Sequence, residues 1–300
     1  MLRIFIALAA SAALFAHPAV VHGQPAREGT PNTDKTVSVQ KGMRLNVNNF
    51  AGEIVVRAWD RDSVRVQADH SRREHVDVRT TDSQVIVRSG SSMGAPASMD
   101  LRITVPNWMR LDLSGTFTDI SVDGVHGQIN ADTVKGDVTI KGGSDFINVK
   151  SIEGMVTVEG AKGRVDVHSV NEDIRLVDVS GDVNAETTNG SLTMERMQAA
   201  SLEAATINGT IAYEGVIREN GQYRMTSHNG DVAMTVPDNA SATVTVRTYN
   251  GSFEPNFPIK TSDTNRRNTR YNFTLGGGSA RITLESFGGT IKMTKGSARR

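Results

Sequence analysis

The chain has 300 residues, 33 Lys+Arg against 33 Asp+Glu, and no cysteine. A formal net charge of zero gives no field of one sign to gather nucleic acid or anionic lipid. The lack of cysteine excludes a disulfide framework and a lipid-anchor cysteine, so an exported form of this chain rests on its core and backbone hydrogen bonds alone.

Residues 1–23 have the layout of a secretory signal: Arg3 as a positive start, an apolar run over 4–15, and Val21-His22-Gly23 as a small-residue cleavage site before Gln24. The apolar run is too short to span a bilayer, and nothing later approaches the roughly 20 apolar residues a membrane helix needs. Export to the periplasm, the cell surface or the medium is expected, with residues 24–35 as a disordered linker. From 36 to 106 the stretches TVSV, RLNVNN, GEIVVRAWD, SVRVQAD, QVIVR and LRITVP alternate as half-buried antiparallel strands do. They predict an N-terminal β cap, with Trp59 and Trp108 as core or junction residues.

Residues 107–293 repeat one phrase. TTNGSLTM from Thr187 is preceded at intervals of eighteen by SVNEDIRL from Ser169, SIEGMVTV from Ser151 and TVKGDVTI from Thr133. It is followed by TINGTIAY from Thr206, SHNGDVAM from Ser227 and TYNGSF from Thr248. An aliphatic or other large side chain stands two places after the Gly slot and another two places later, so both point to one face of a strand. These inward pairs run from Ile120/Val122 through Val138/Ile140, Val156/Val158, Ile174/Leu176, Leu192/Met194 and Ile211/Tyr213 to Val232/Met234. Between the phrases a second strand follows the same rule, from Leu111/Leu113 through Ile129/Ala131, Ile147/Val149, Val165/Val167, Val183/Ala185 and Leu202/Ala204 to Tyr223/Met225. The outward residues also obey the eighteen-residue period. Asn130, Asn148, Asp166, Asn184 and Glu203 follow one another on the second strands; Ser121, Thr139, Thr157, Arg175, Thr193 and Ala212 do so on the phrase strands.

Short strands at a fixed period without helical periodicity predict an all-β, single-stranded β-solenoid. Two strands and about 18–21 residues per coil are expected. A three-sided coil of 27 residues is the alternative, because Gly127, Gly154 and Gly181 share that spacing, as do Gly136, Gly163 and Gly190. Asn-Gly pairs ending at Gly190, Gly209, Gly230 and Gly251 are read as structural corners where positive φ is tolerated. Residues 258–270, with Arg266, Arg267 and Arg270, are expected to form a polar loop. Phe273/Leu275, Ile282/Leu284 and Ile291/Met293 return inward, and 294–300 are read as a disordered tail.

Leu45-x-Val-x-Asn-x-x-Gly52-x-Ile-x-Val, then Trp59-Asp60 before Val64-x-Val66, and the serial Thr-x-Asn-Gly phrases resemble the bacterial "putative adhesin" family of exported β-solenoid domains of unknown function. The likeness spans roughly 36–293. It implies surface or envelope adhesion and brings no catalytic residues with it.

Motifs with a mechanism are missing: there is no HExxH, no GxGxxG after a strand, no phosphate-binding loop and no GxSxG elbow. No cofactor and no metal site is expected. The richest outward cluster has Arg164, Asp166 and His168 on one strand, with Asp182, Asn184 and Glu186 beside them on the next coil; Asn130 and Asn148 extend the same face. Two acids so placed suit a glycoside hydrolase, and a base beside a cation suits a lyase. Sparse aromatics, 5% of residues, and few outward ones such as Phe146 argue against stacking platforms for sugars. The reading is therefore a non-enzymatic, exported binding or structural solenoid whose partner is a polysaccharide or an envelope protein. A polysaccharide-active enzyme on the same scaffold is the alternative.

Overall fold

The structure is a computed structural model that describes residues 32–92, 98–259 and 269–296. The expected signal peptide, most of the linker and Arg266 and Arg267 fall outside the described residues. Among those described there is no helix, and so none long and apolar enough to cross a membrane.

The N-terminal part contains β1 (Thr33–Ser38), β2 (Arg44–Trp59), β3 (Ser63–Asp69), β4 (Glu74–Thr80), β5 (Gln84–Ser91) and β6 (Asp100–Pro106). The repeats supply β7 (Arg110–Val125), β8 (Ile129–Lys135), β9 (Val138–Gly142), β10 (Phe146–Glu153), β11 (Val156–Glu159) and β12 (Lys162–His168). They continue with β13 (Ile174–Val177), β14 (Ser180–Thr187), β15 (Leu192–Thr206), β16 (Ile211–Gly215), β17 (Gln222–Ser227) and β18 (Val232–Val236). The last part contains β19 (Ala242–Thr248), β20 (Phe253–Pro255), β21 (Thr269–Leu275), β22 (Ala280–Ser286) and β23 (Ile291–Lys295).

Parallel pairing decides the coil. On the first face Ile129, Ile147, Val165 and Val183 pair in series; on the second, Val138, Val156, Ile174 and Leu192 do so. Each step is eighteen residues, with two strands per turn of chain. Val183 then pairs with Leu202 and Leu202 with Tyr223, so the period stretches to 19 at a bulge in β15 that leaves Ala200 without a partner in β14, and to 21 at the loop between β16 and β17. The 27-residue coil is excluded. Its glycine spacing arises because two glycine columns, each repeating every eighteen, lie nine residues apart: an added Cβ would meet Met109 O at Gly127, Asp145 O at Gly163 and Gly163 O at Gly181, but Thr118 O at Gly136, Gly136 O at Gly154 and Glu172 O at Gly190.

All the inward pairs predicted from the sequence are buried, from Leu111 and Leu113 to Ile291 and Met293. They form one core cluster that also takes in Leu45, Val47, Ile54 and Val56. Each aliphatic side chain so buried contributes roughly 1.5–3 kcal/mol, which offsets the backbone entropy of ordering its coil.

The two ends depart from the expected order. β1, β3 and β4 pair antiparallel, as predicted for a cap. β2, however, pairs parallel with β7 over both faces, and β5 and β6 pair parallel with β2, so these three are coils with the same inward grammar. At the other end TYNGSF does not follow SHNGDVAM in the stack. β17 pairs with β22 and β22 with β19, while β18 pairs with β23 and β23 with β20. The C-terminal coil thus lies between two earlier ones, and antiparallel β21 closes the first face against β19. Strand β1 begins at Thr33, inside the expected linker; β21 takes in Arg270, inside the expected loop; β23 reaches Lys295, inside the expected tail.

The phrase itself is now explained position by position. Its first residue is a buried hydroxyl: Thr133, Ser151, Thr187, Thr206, Ser227 and Ser286 are each at most 6% exposed. Thr133 donates to Thr118 O at 2.9 Å, Thr187 to Glu172 O at 3.1 Å, Thr206 to Gly190 O at 2.9 Å, Ser227 to Gly209 O at 3.0 Å and Ser286 to Gly230 O at 3.0 Å. The third residue is Lys135 and Glu153 in the first two phrases, paired at 3.2 Å, and an exposed amide in those after: Asn189 donates to Asn171 at 3.0 Å, Asn208 to Asn189 at 2.8 Å and Asn229 to Asn208 at 2.9 Å. The fourth is glycine in every phrase but SVNEDIRL, where Glu172 stands. A Cβ would stand 2.1 Å from Glu172 O at Gly190, 2.0 Å from Gly190 O at Gly209, 2.0 Å from Gly209 O at Gly230 and 1.8 Å from Gly289 O at Gly251. These four sit at bends, as expected, but none has a left-handed φ, which corrects the reason for them: the carbonyl of the adjacent coil leaves no room for a side chain. Left-handed residues form other columns, such as Gly124, Gly142, Gly160, Asp178 and Arg196.

The hydroxyl column makes a prediction with an internal control. Thr206→Val removes the donor to Gly190 O in a buried setting and is expected to cost about 1–2 kcal/mol. Ser169 Oγ is buried without a partner, so Ser169→Ala is expected to be neutral or slightly stabilising. Denaturant melts of the two variants check the pair; equal losses would contradict the assignment.

Candidate functional site

The outward side of the first face collects the residues singled out from the sequence. Pairing sets Asn130, Asn148, Asp166 and Asn184 in one row. It sets Arg164 beside Asp182 and His168 beside Glu186. Asn130 donates to Asp112 at 2.8 Å, extending the row by one coil. Arg164 Nε lies 3.1 Å from Asp166 Oδ2 on the same strand, and its guanidinium stands 6.0 Å from the Phe146 ring centroid. His168 Nδ1 is 3.5 Å from Glu186 Oε2. Asn184 Oδ1 is buried without a partner. Farther along, Glu285 receives both Arg247 at 3.0 Å and Arg224 at 3.7 Å. Burial beside Asp112 raises the Asp132 carboxyl above its usual range, with Lys150 opposing.

The register leaves Asp166 and Glu186, the two acids of the enzyme alternative, diagonal to one another on adjacent coils. A cavity of about 420 Å³ takes in His168 and Glu186 but not Asp166, whose carboxylate is held by Arg164. No cluster of three metal-ligating side chains occurs among the described residues. Trp59 and Trp108 are structural: their indole N–H groups donate to Ser63 O at 2.7 Å and to Asp62 at 3.1 Å.

The corner between the faces carries what the reading of faces passed over. Position two is exposed in every phrase except at the half-buried Thr188, and it is mostly large and apolar: Val134 is 45% exposed, Ile152 45%, Val170 39%, Ile207 50%, Phe287 42% and Tyr249 44%. The backbone proves that they stack. Ile152 O accepts the amide of Asn171, Val170 O that of Asn189, Thr188 O that of Asn208, Ile207 O that of Asn229 and Phe287 O that of Asn250. Phe50, in the register of the ridge beyond the half-buried Thr116, meets Phe117 edge to face at 5.6 Å; both are exposed, and Phe117 stands in the third column with Lys135. At the C-terminal end His228, Phe287 and Tyr249 form a pile, with centroids 4.8 and 5.4 Å apart. The signal was present in the phrases: V, I, V, I, F and Y recur at a position that no inward rule requires. Opposite corners are polar, as where Arg196 pairs with Asp178 at 2.6 Å and holds its carboxyl below the usual range.

Several solved structures are similar to this chain at low identity and with low TM-scores. A "putative adhesin" from Bacteroides fragilis is 12% identical, with 87% of this chain and 96% of that chain covered and a TM-score of 0.38. A "putative lipid binding protein" from Parabacteroides distasonis is 10% identical, with 90% and 98% covered and a TM-score of 0.40. A "putative cell adhesion protein" from Clostridium sporogenes is 8% identical, with 88% and 99% covered and a TM-score of 0.22. At such values nothing these proteins bind passes to this chain, and no curated protein matches it. The family model Toastrack DUF4097 matches residues 43–294, from the first inward coil to the last strand. This chain therefore belongs to the Toastrack DUF4097 family.

Proposed function

We propose that this is an exported, non-enzymatic binding protein that lies along an extended polysaccharide, with the corner ridge and the adjoining outward row of the first face as the contact strip. The observation that carries the reading is position two of the phrase. Positions one, three and four are accounted for by hydrogen bonds and close approach between coils, whereas the exposed Val, Ile, Phe and Tyr side chains at position two serve no such purpose. A row of exposed apolar side chains of this kind, broken only at Thr188 and His228, is a mark of an interaction site. A polysaccharide presents C–H faces and hydroxyls side by side, and here an apolar row runs beside a row of amides, carboxylates and hydroxyls at about 4.8 Å per coil. The secretory layout of residues 1–23 supports export. Asp166 is held by Arg164 and lies outside the cavity that Glu186 lines, which supports binding without cleavage.

The test is retention of the full chain on an array of bacterial and host polysaccharides, with release of reducing or unsaturated ends scored in parallel. Ile152→Ser/Val170→Ser/Ile207→Ser is expected to weaken retention at least tenfold with a melting midpoint close to the parent's, because these side chains are half exposed. Asp166→Ala/Asn184→Ala reports on the outward row in the same assay. Cleavage of any polymer would overturn the non-enzymatic reading. Undiminished retention by the triple variant would overturn the ridge.

A further inference from the structure

Along the run from Val134 to Tyr249 the ridge has one half-buried member, and it is matched on the neighbouring row. Between Val170 and Ile207 the ridge residue is Thr188, which is half-buried. On the first face the outward row runs from His168 to Glu186, Ala205 and Thr226, so its smallest member stands one coil from Thr188. Loss of bulk at both places opens the cavity of about 420 Å³, a size within the ~300–1,000 Å³ of small-ligand sites.

The walls of the cavity differ in chemistry. On one side are Ile207 and His228. The His228 ring is covered on one face by Phe287, nearly parallel at 15° and 4.8 Å, and it ends the aromatic pile on the side of the cavity. On the other side stand Glu186 and His168, an acceptor and an amphoteric imidazole 3.5 Å apart. The hydroxyls of Thr187 and Thr206 at the floor already donate to Glu172 O and Gly190 O, which fixes the walls. No lysine or arginine lines the site.

We infer that this notch is a binding subsite for one neutral pyranose unit of the polysaccharide, which fixes the position of the polymer along the ridge. The inference rests on the proposed function above. A pyranose has an apolar C–H face that suits Ile207 and the imidazole body of His228, since histidine presents an apolar ring with polar tips. Its equatorial hydroxyls suit Glu186, His168 and the Thr188 hydroxyl. A uronate, sulfate or phosphate would bring a second negative charge to Glu186 with no cation in the lining to receive it, so charged units are rejected.

Imidazole NMR of the seven histidines in the full chain tests the subsite, with cellotetraose, laminaritetraose and chitotetraose as probes and tetragalacturonate as the charged control. At least one neutral tetramer is expected to move the His168 and His228 resonances and leave the others in place. Ala205→Phe fills the notch from its half-exposed side and is expected to weaken that response at least tenfold; Glu186→Gln, which leaves the shape unchanged, is expected to weaken it severalfold. Silence at both histidines with every neutral probe, or an undiminished response in Ala205→Phe, overturns the subsite, as does preference for tetragalacturonate. If polysaccharide retention survives in Ala205→Phe but is lost in the ridge triple variant, the contact strip stands and the subsite falls.

Discussion

Gly209→Ala is expected to destabilise the protein by roughly 3–5 kcal/mol, although its backbone conformation suits alanine. The added Cβ would lie 2.0 Å from Gly190 O and 2.6 Å from Gly190 C, and both are backbone atoms that cannot rotate away. The coils must separate locally. That movement would lengthen the bond from Thr206 to Gly190 O at 2.9 Å and strain those from Leu192 N to Thr210 O and from Ile211 N to Asp231 O, both 2.9 Å. Overpacking costs about 1–3 kcal/mol, and each weakened hydrogen bond about 1 kcal/mol more. Gly160→Ala is the control with the opposite cause. Nothing lies within 4 Å of its added Cβ, but φ is +69°, so the left-handed penalty of ~1–2 kcal/mol is all it meets. Thermal unfolding of both should give a midpoint drop on the order of 10 °C for Gly209→Ala and only a few degrees for Gly160→Ala. A reversed order would show that corner conformation, rather than coil contact, dictates glycine in the phrase.

Val156→Asp is expected to be the most damaging single change in the middle of the stack. Val156 is fully buried and pairs with Val138 on one side and Ile174 on the other. Its inward neighbours are apolar, so an ionised carboxylate there finds neither a cation nor a donor. The cost is ~4 kcal/mol or more. Burial raises the carboxyl pKa of the folded state above the unfolded value of about 3.9, so the folded form binds the proton more tightly. The penalty relative to the parent is therefore full above the raised folded-state pKa and shrinks as pH falls toward ~4. Denaturant melts of parent and variant at pH 7.5 and pH 4.5 check this; a constant difference would mean that residue 156 does not face the core.

Much of this architecture was legible because the core and the coil share one code. Alternating aliphatics every nine residues give inward faces, and outward Asn and Thr rows give the eighteen-residue coil; both follow from local periodicity. The order of coils at the ends was not legible for the same reason. TYNGSFEP and SFGGTIKM obey one grammar, so nothing in either phrase says which lies against SHNGDVAM, and pairing between strands as distant as β2 and β7 or β17 and β22 carries no local mark. Asp178 and Arg196 turn corners with left-handed φ of 54° and 52°, a role sequence assigns to glycine or asparagine. The rows holding Asp166, Asn184, His168 and Glu186 could be placed from spacing. The ridge went unread because attention to inward and outward alternation along strands leaves the corner residues without a rule, although their apolar recurrence is plain once the corner is treated as a row of its own.

The way the two ends close limits how such a molecule changes length. Counting inward from either extremity, antiparallel strands come first, then β5 with β6 or β19 with β20, and then β2 or the β22–β23 coil, each held between neighbours from other parts of the chain. Read from opposite directions, both termini follow the same plan. A coil appended to or trimmed from either terminus would therefore not lengthen or shorten the stack; it would leave a clamped layer unpaired on both sides. Duplication or loss of eighteen residues is expected to be tolerated only in the central run from β9 to β13, where every strand pairs with the strands two places before and after it. The proposed contact strip would then behave as a ruler whose graduations can be added only from the middle, and relatives with longer or shorter strips should differ there while their end layers match.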